Sequence, residues 1–343
     1  MSLIIPIFIP HEGCPHRCLF CNQHSISSQD RSPVTGTEVA ATIREWLART
    51  RPERRTHVQA AFYGGSFTGL PADRQIELLR AVQPFLGRGE VQAIRLSTRP
   101  DYIDHDRLTR LVDHGVSTVE LGVQSGDDRV LQRAGRGHSH ADSLRASDLI
   151  RQRGLQLGWQ LLPGLPGEDF RSLRRTITVT VRVLPDFVRI YPALVLRGSG
   201  LERLYHQGGY RPLSLGRAVV VAALMKKRFD DQGIGVVRMG LQSSATLEQD
   251  LVAGPWHPAF GELVKARLML QQTRRVLAKA ATAGPVVLVI NDRDQSIFRG
   301  PGSANLRRLQ ALGQSARFTL RTDPHQPRQT VCIGGESGDC LGC

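Results

Sequence analysis

The sequence predicts an α/β protein: a partial (β/α)6 TIM-like barrel followed by a small C-terminal α/β appendage. Three observations lead there. Strand-like and helix-like stretches alternate six times before Pro192. The steps recur roughly every 30 residues, as βα units do. The glycine-rich and polar stretches fall where strands end: Gly64–Ser66, Ser97–Asp101, Val123–Ser125, Leu162–Gly167 and Ile190–Pro192. In a curled parallel sheet, ligands bind at that end of the strands.

The elements follow from periodicity. "IIPIFIP" (Ile4–Pro10) is a strand and Glu38–Thr50 an amphipathic helix. Val58–Gly65 is a strand closed by two glycines, and Asp73–Leu86 is one helix. Val91–Thr98 is a strand, and Asp104–Gly115 is a helix stopped by its glycine. Ser117–Ser125 is the next strand and His140–Gly154 the next helix. Leu155–Gly167 begins as a strand and ends in a Pro/Gly loop. Asp169–Leu184 reads as a helix despite its β-branched residues, and Asp186–Pro192 is the sixth strand. Beyond that the pattern changes. A helix (Leu213–Gly233), a short strand (Gly235–Gly240) and a long helix broken once (Pro258–Gly284) are expected. A compact unit closes the chain: strand "PVVLVIND", loop "FRGPGSAN", helix "LRRLQAL", strand "ARFTLRT". The expected domains are 1–240 (barrel), 241–283 (helical linker), 284–322 (basic α/β unit) and 323–343 (a loosely ordered, Cys-containing tail).

Composition narrows the class. Apolar residues make up 41% and mean hydropathy is -0.21, as in a soluble globular protein. The longest apolar runs, Leu3–Pro10 and Val286–Ile290, are far short of the about 20 residues a bilayer demands, so no membrane partner is expected. The start lacks the marks of a signal peptide, so a cytoplasmic protein is expected. The net charge is +14, nearly all from arginine, and it is concentrated. Between Ala259 and Arg328 twelve Lys/Arg stand against four acids, a net of +8. Such a segment suits nucleic acid; the plain alternative is a solvated surface.

Half of the six cysteines crowd into "EGCPHRCLFCNQ": Cys14, Cys18 and Cys21, spaced C-x3-C-x2-C. In a reducing compartment such clusters bind metal or do chemistry more often than they form disulfides. Three thiolates can each hold one iron of a 4Fe–4S cube and leave the fourth iron open. A closed tetrahedral zinc site is the alternative, with His11, His16 or His24 as fourth ligand.

This loop, with Phe20 before its last cysteine at the start of a βα barrel, resembles the radical S-adenosylmethionine (SAM) superfamily. "GGSFTG", "TRPDY", "VELGVQS", "GRGH", "LPGLPG" and "RIYPALVLRGSGLERLY…GGY" follow in order, covering about residues 4–240. Together they resemble the radical domain of the Elongator catalytic subunit, a tRNA wobble-uridine modifying family. They also share a pattern with oxygen-independent coproporphyrinogen oxidase. The resemblance implies a barrel of the radical SAM type, with a 4Fe–4S cluster on Cys14, Cys18 and Cys21 whose open iron binds SAM. It implies reductive cleavage of SAM to methionine and a 5′-deoxyadenosyl radical, which takes hydrogen from a substrate. It assigns Gly64, Gly65 and Ser66 to the methionyl end, Gln124 and Arg136 to the cofactor, the latter facing the methionyl carboxylate, and Tyr191 with Pro192 to the adenine. Two positions depart. Ser97 and Gln160 stand where the coproporphyrinogen oxidase pattern carries acids, and Elongator-type proteins usually carry one at the Ser97 position too, so a ribose contact from Ser97 would be a weaker, neutral hydrogen bond. The first cysteine gap is also shorter than in the Elongator subunit.

About 100 residues follow Gly240, fewer than that subunit's acetyltransferase domain requires, so acetyl transfer is not expected. "SIFRGPGSANLRRLQ" instead resembles a minimal KH-like unit, whose glycine loop between two helices clamps an RNA backbone. Gly300 and Gly302 fit that loop, Ser303 replaces its last glycine, and Arg299, Arg307 and Arg308 face phosphates in this reading. The alternative is a basic appendage capping the barrel. Cys332, Cys340 and Cys343 form a possible second metal site, against the alternative of a tail whose cysteines lie close by chance.

The leading expectation is a radical SAM enzyme of tRNA or RNA modification, with a flavodoxin or ferredoxin as electron donor. The second is coproporphyrinogen-oxidase-like chemistry on a small acidic molecule. The third is a zinc-stabilised nucleic-acid-binding protein.

Overall fold

The computed structural model describes residues 2–9, 13–14, 18–22, 33–51, 53, 55–280, 284–334 and 340–341. The chain divides into two compact units: residues 1–214 with 228–256, and residues 215–227 with 257–343.

The first unit is built on β1 (Ser2–Phe8), β2 (His57–Tyr63), β3 (Ala93–Thr98), β4 (Val116–Gln124), β5 (Gln156–Leu161) and β6 (Phe187–Ile190). The short β7 (Val195–Leu196) and β9 (Leu251–Ala253) pair with each other, and β8 (Gly235–Met239) lies between them in sequence. The main sheet runs β1-β2-β3-β4-β5-β6-β8 and every neighbour is parallel. Strands follow chain order, with no reversal. That is the topology of a partial barrel, with one strand more than the six read from sequence. The extra strand is the predicted short segment after Gly233, which joins β6 through the pairing Phe187↔Gly235.

Both faces of this sheet are covered, as parallel sheets require. One face carries Leu96, Leu121, Trp159 and Ile190, all buried; Trp159 Nε1 donates to Ser147 Oγ at 3.0 Å. Side chains alternate along a strand, so the other face carries Tyr63, Arg95, Ser97, Glu120, Gly122, Gln160, Arg189 and Arg238. That polar face makes the site.

The helices form where capping chemistry starts them. Thr35, Ser139 and Asp169 each close a capping box, on Gly36–Arg49, His140–Gln152 and Phe170–Val183. The β-branched run in the last of these is helical because one face of it, Leu173, Ile177, Thr180 and Val183, is buried, and packing overrides propensity; the buried hydroxyls of Thr176 and Thr180 are satisfied by the carbonyls of Ser172 and Thr176 (3.0 and 2.8 Å). It ends with Leu184 at φ 52, before a proline. The expected single helix over Asp73–Leu86 is two, Ala72–Arg80 and Gln83–Gly87. Pro84 has no N–H to continue the ladder, so the chain restarts with Pro84 in a first turn.

In the second unit the order is β10 (Val286–Ile290), helices Gln295–Arg299 and Ala304–Ala311, then β11 (Phe318–Thr322), parallel to β10. The helix Phe260–Lys279 is continuous, not broken once; after Gly261 it contains neither glycine nor proline. Its Ala266, Met269 and Leu277 pack with Leu288, Ile290, Ile297, Phe298 and Val331. Part of the tail expected to be loose is a strand. β12 (Val331–Gly334) pairs antiparallel with β10, and β13 (Cys340–Leu341) pairs with β12. Its three apolar residues Val331, Cys332 and Ile333 were too short a run to stand out among the surrounding turn residues. No helix among the described residues is long and apolar enough to cross a membrane.

Candidate active site

A cavity of about 1290 Å³ opens at the C-terminal ends of the barrel strands. Cys14, Cys18 and Cys21 stand on its wall, and so do Gly64, Gly65, Ser97, Gln124, Arg136, Gln160, Tyr191 and Pro192. Ser66 is buried behind that wall, where its hydroxyl meets Thr98 Oγ1 at 3.0 Å.

The cysteine loop is docked by its backbone. Leu19 N–H donates to the Ala134 carbonyl (3.0 Å), and Leu201 N–H donates to the Leu19 carbonyl (2.7 Å). A Cβ on Gly13 would lie 2.2 Å from the Ser66 carbonyl oxygen, and one on Gly69 would lie 2.1 Å from that of Gly13. Glycine at both positions lets the cysteine loop press against the loop after β2. His11, His16 and His24, the alternative zinc ligands, lie outside the described residues.

None of these three cysteines is in a disulfide. Burial pushes the Cys14 thiol above its ordinary pKa, while Arg136 and Arg99 pull it back. Arg136 Nη1 points at Cys18 Sγ (3.4 Å) and Nη2 donates to the Gly122 carbonyl (2.7 Å). A Cβ on Gly122 would sit 2.7 Å from Arg136 Nη2 and 2.9 Å from Gln124 Nε2, so this glycine makes room for both side chains. Gln124 is held at φ 67, and Ser125 N–H closes a turn around it onto the Val123 carbonyl (2.8 Å). Such a conformation costs a non-glycine residue about 1 kcal/mol or more. Gly126, fixed by Thr176 Oγ1 (2.9 Å), helps maintain it. Beside them His138 is buried; desolvation first, then Arg136 and Arg99, lower its pKa to about 2, which leaves a neutral ring.

The floor holds a network that the sequence reading did not single out. Glu120 is 0% exposed. It accepts from Arg189 Nε (2.7 Å) and Nη2 (3.0 Å), Tyr63 OH (3.0 Å) and Gln160 Nε2 (3.1 Å), with Arg95 Nη1 at 3.5 Å. Burial and the Glu120 charge hold Tyr63 far above the usual phenol range, so it is a donor at any working pH. Gly158 leaves space for Glu120 and for the Phe187 ring, over which Arg95 stacks at 5.2 Å. The sequence signal was present: Arg95, Glu120 and Arg189 each interrupt an apolar strand.

The Leu162–Gly167 loop closes the far side. Tyr210 OH donates to the Gly164 carbonyl (2.7 Å), and Gly164 N–H donates to Glu168 Oε2 (2.5 Å). Glu168 is half-buried as a residue, with its carboxyl group inside. Burial, opposed by that hydrogen bond, raises its pKa from 4.5 to about 7. Its proton is therefore kept by the folded state and lost by the unfolded state between those values. Stability falls as pH rises from 4.5 to 7 and is level above, a loss of at most about 3 kcal/mol. Glu168→Gln should remove this slope in urea unfolding curves at pH 5 and pH 8; an unchanged slope would assign the shift elsewhere.

In the second unit, Gly300 (φ 71), Gly302 (φ 54) and Ser303 (φ 61) form the turn between the two short helices. Asn305, also missed from sequence, clamps it by donating to the carbonyls of Ala266, Ile297 and Phe298 (2.9, 3.2 and 3.1 Å). Arg299, Arg307 and Arg308 are exposed, with no carboxylate partner among the described residues; Arg307 bonds the Gly302 carbonyl. Cys332 is buried and disulfide-bonded, and the side chains of Cys340 and Cys343 lie outside the described residues.

A family model described as the radical SAM superfamily matches residues 8–179, and a radical SAM C-terminal domain matches residues 185–270. The chain belongs to the radical SAM superfamily. A tRNA uridine(34) acetyltransferase of Methanocaldococcus infernus is 24% identical over 261 residues, covering 65% of this chain and 49% of that one. Mouse Elongator complex protein 3 is 27% identical over 250 residues, covering 60% and 45%. The chain spans about half the length of the curated relatives it matches first. The solved archaeal Elongator protein 3 of M. infernus shares the fold, with a TM-score of 0.61, 22% identity, and 79% and 63% of the two chains covered.

Radical SAM proteins are enzymes that use a 4Fe–4S cluster and SAM, which decides between the cluster and the zinc left open by spacing. The residues present fit those groups. No three His, Cys, Asp or Glu among the described residues converge on one point, and a cube that takes one iron per thiol does not ask them to. Gln124 Oε1 and Arg136 Nε are buried without a protein partner in the cavity wall, and such atoms call for a ligand.

Proposed function

We propose that this radical SAM enzyme modifies RNA, and tRNA in particular. Cys14, Cys18 and Cys21 would hold the cluster. Gly64, Gly65, Ser97, Gln124, Arg136, Gln160, Tyr191 and Pro192 would hold SAM, with Ser66 bracing the wall from behind. When bound, the pair supplies a carbon-centred radical that removes hydrogen from a substrate. The chain's own part is to hold the methionyl carboxylate at Arg136, orient the ribose by neutral hydrogen bonds from Ser97 and Gln160, and enclose the reacting centre. Its electron donor would be a small flavodoxin or ferredoxin.

The observation that carries the RNA reading is the exposed arginine trio around the glycine turn of the second unit, beside relatives that act on tRNA uridine. The decisive test incubates anaerobically reconstituted protein with SAM, reductant and bulk tRNA, followed by nucleoside mass spectrometry. A new nucleoside formed with 5′-deoxyadenosine supports the reading; 5′-deoxyadenosine with unaltered tRNA refutes it. Binding gives a second check. Arg299→Glu/Arg307→Glu/Arg308→Glu should weaken tRNA binding at least tenfold at low salt and flatten its log–log salt slope by about 2–3. An unchanged slope would take this loop out of the interface.

A further inference from the structure

The cavity is larger than the about 300–1,000 Å³ that one small ligand usually fills, which leaves room beside a cofactor. Its charge is one-sided. Arg99, Arg136, Arg189, Arg203 and Arg238 line it, and no acid or lysine does so among the described residues.

Three of these arginines are engaged. Arg99 binds Asp101 through two nitrogens (2.9 and 2.8 Å), Arg189 binds Glu120, and Arg136 faces Cys18 and Gly122. Arg203 and Arg238 have no carboxylate within ion-pair distance among the described residues. Arg238 makes one bond, from Nε to the Gly240 carbonyl (3.2 Å), and its terminal nitrogens are left over. It pairs in register with Arg189 across β6 and β8, so two guanidinium groups stand on neighbouring strands of one wall. Glu120 lies within 3.5 Å of both Arg95 and Arg189, so its single charge is already shared between two cations. Arg203 lies on the helix Gly200–His206, whose start is pinned to the cysteine loop by the Leu201–Leu19 bond. Unpaired guanidinium groups on a concave wall favour a bound oxyanion, which each can grip through two parallel N–H groups.

We infer that Arg238 and Arg203 form an oxyanion subsite for the substrate, and that a phosphate next to the target nucleotide occupies it. The nucleotide part rests on the RNA reading above; the oxyanion part does not.

Isothermal titration of the reconstituted, SAM-loaded protein with uridine 5′-monophosphate, uridine and succinate tests both parts. The monophosphate should bind about tenfold more tightly than uridine. Arg238→Gln and Arg203→Gln should each erase most of that difference. Iron content, SAM affinity and the weak uridine binding should stay as they were. Arg238→Lys, which keeps the charge, should restore part of the difference. Succinate bound as tightly as the monophosphate, and equally sensitive to Arg238→Gln, upholds the oxyanion subsite and overturns its nucleotide occupant. Equal affinity for uridine and its monophosphate, no binding by any probe, or indifference to both Gln variants overturns the subsite itself.

Discussion

Glu120→Ala is expected to destabilise the barrel unit by about 3–5 kcal/mol, the cost of stripping the partner from a buried charge. The carboxylate is fully buried and accepts from Arg189, Tyr63 and Gln160, with Arg95 close by. Without it two guanidinium groups are left unpaired in the floor, Arg95 nearly enclosed and Arg189 only partly open to the cavity. A domain holds only about 5–15 kcal/mol in total, so the variant should be near its limit at physiological temperature. All three tryptophans (Trp46, Trp159 and Trp256) belong to the barrel unit, so tryptophan fluorescence in urea reports this unit. Glu120→Leu/Arg189→Met should recover part of the loss, because an apolar pair of similar volume replaces an ion pair with little penalty. It should not recover all of it, since Arg95 still lacks its carboxylate. A loss below about 1 kcal/mol for Glu120→Ala would mean that water reaches the floor and the network is not buried in solution.

The same residues mark what could be read from sequence alone. The barrel was legible because a parallel sheet buried on both faces writes its strands as apolar runs, and the βα spacing is regular. The cysteine loop was legible because its spacing is local. The floor was not. Arg95, Glu120 and Arg189 are far apart in sequence and meet only through strand register, where Ser97 pairs with Glu120 and Gln160 with Arg189. Parity along each strand would have found them, since Glu120 lies two and four residues before Gly122 and Gln124. The oxyanion wall was harder still. Arg238 looks like one arginine among many until β8 joins the sheet beside Arg189. Asn305 was hidden for a different reason: its three acceptors are backbone carbonyls, which no sequence displays.

Cys18→Ser is expected to abolish cluster binding while leaving the barrel folded. Cys18 is 6% exposed, and its Sγ stands 3.4 Å from Arg136 Nη1, a cation suited to a thiolate-bound cluster. Serine keeps the shape and the contact to Arg136, so the urea midpoint should move by well under the Glu120→Ala loss. It does not keep the iron. With two thiolates left, a cube has two unligated irons and should not survive desalting. Wild-type protein, reconstituted anaerobically, should carry about four irons and four sulfides per chain, with a reduced spectrum that changes on adding SAM. Cys18→Ser should fall below about one iron and show no SAM-dependent change. About eight irons in the wild type would place a second cluster on Cys332, Cys340 and Cys343. Retention of four irons by the serine variant would remove Cys18 from the ligand set and send the search to the histidines of the same loop.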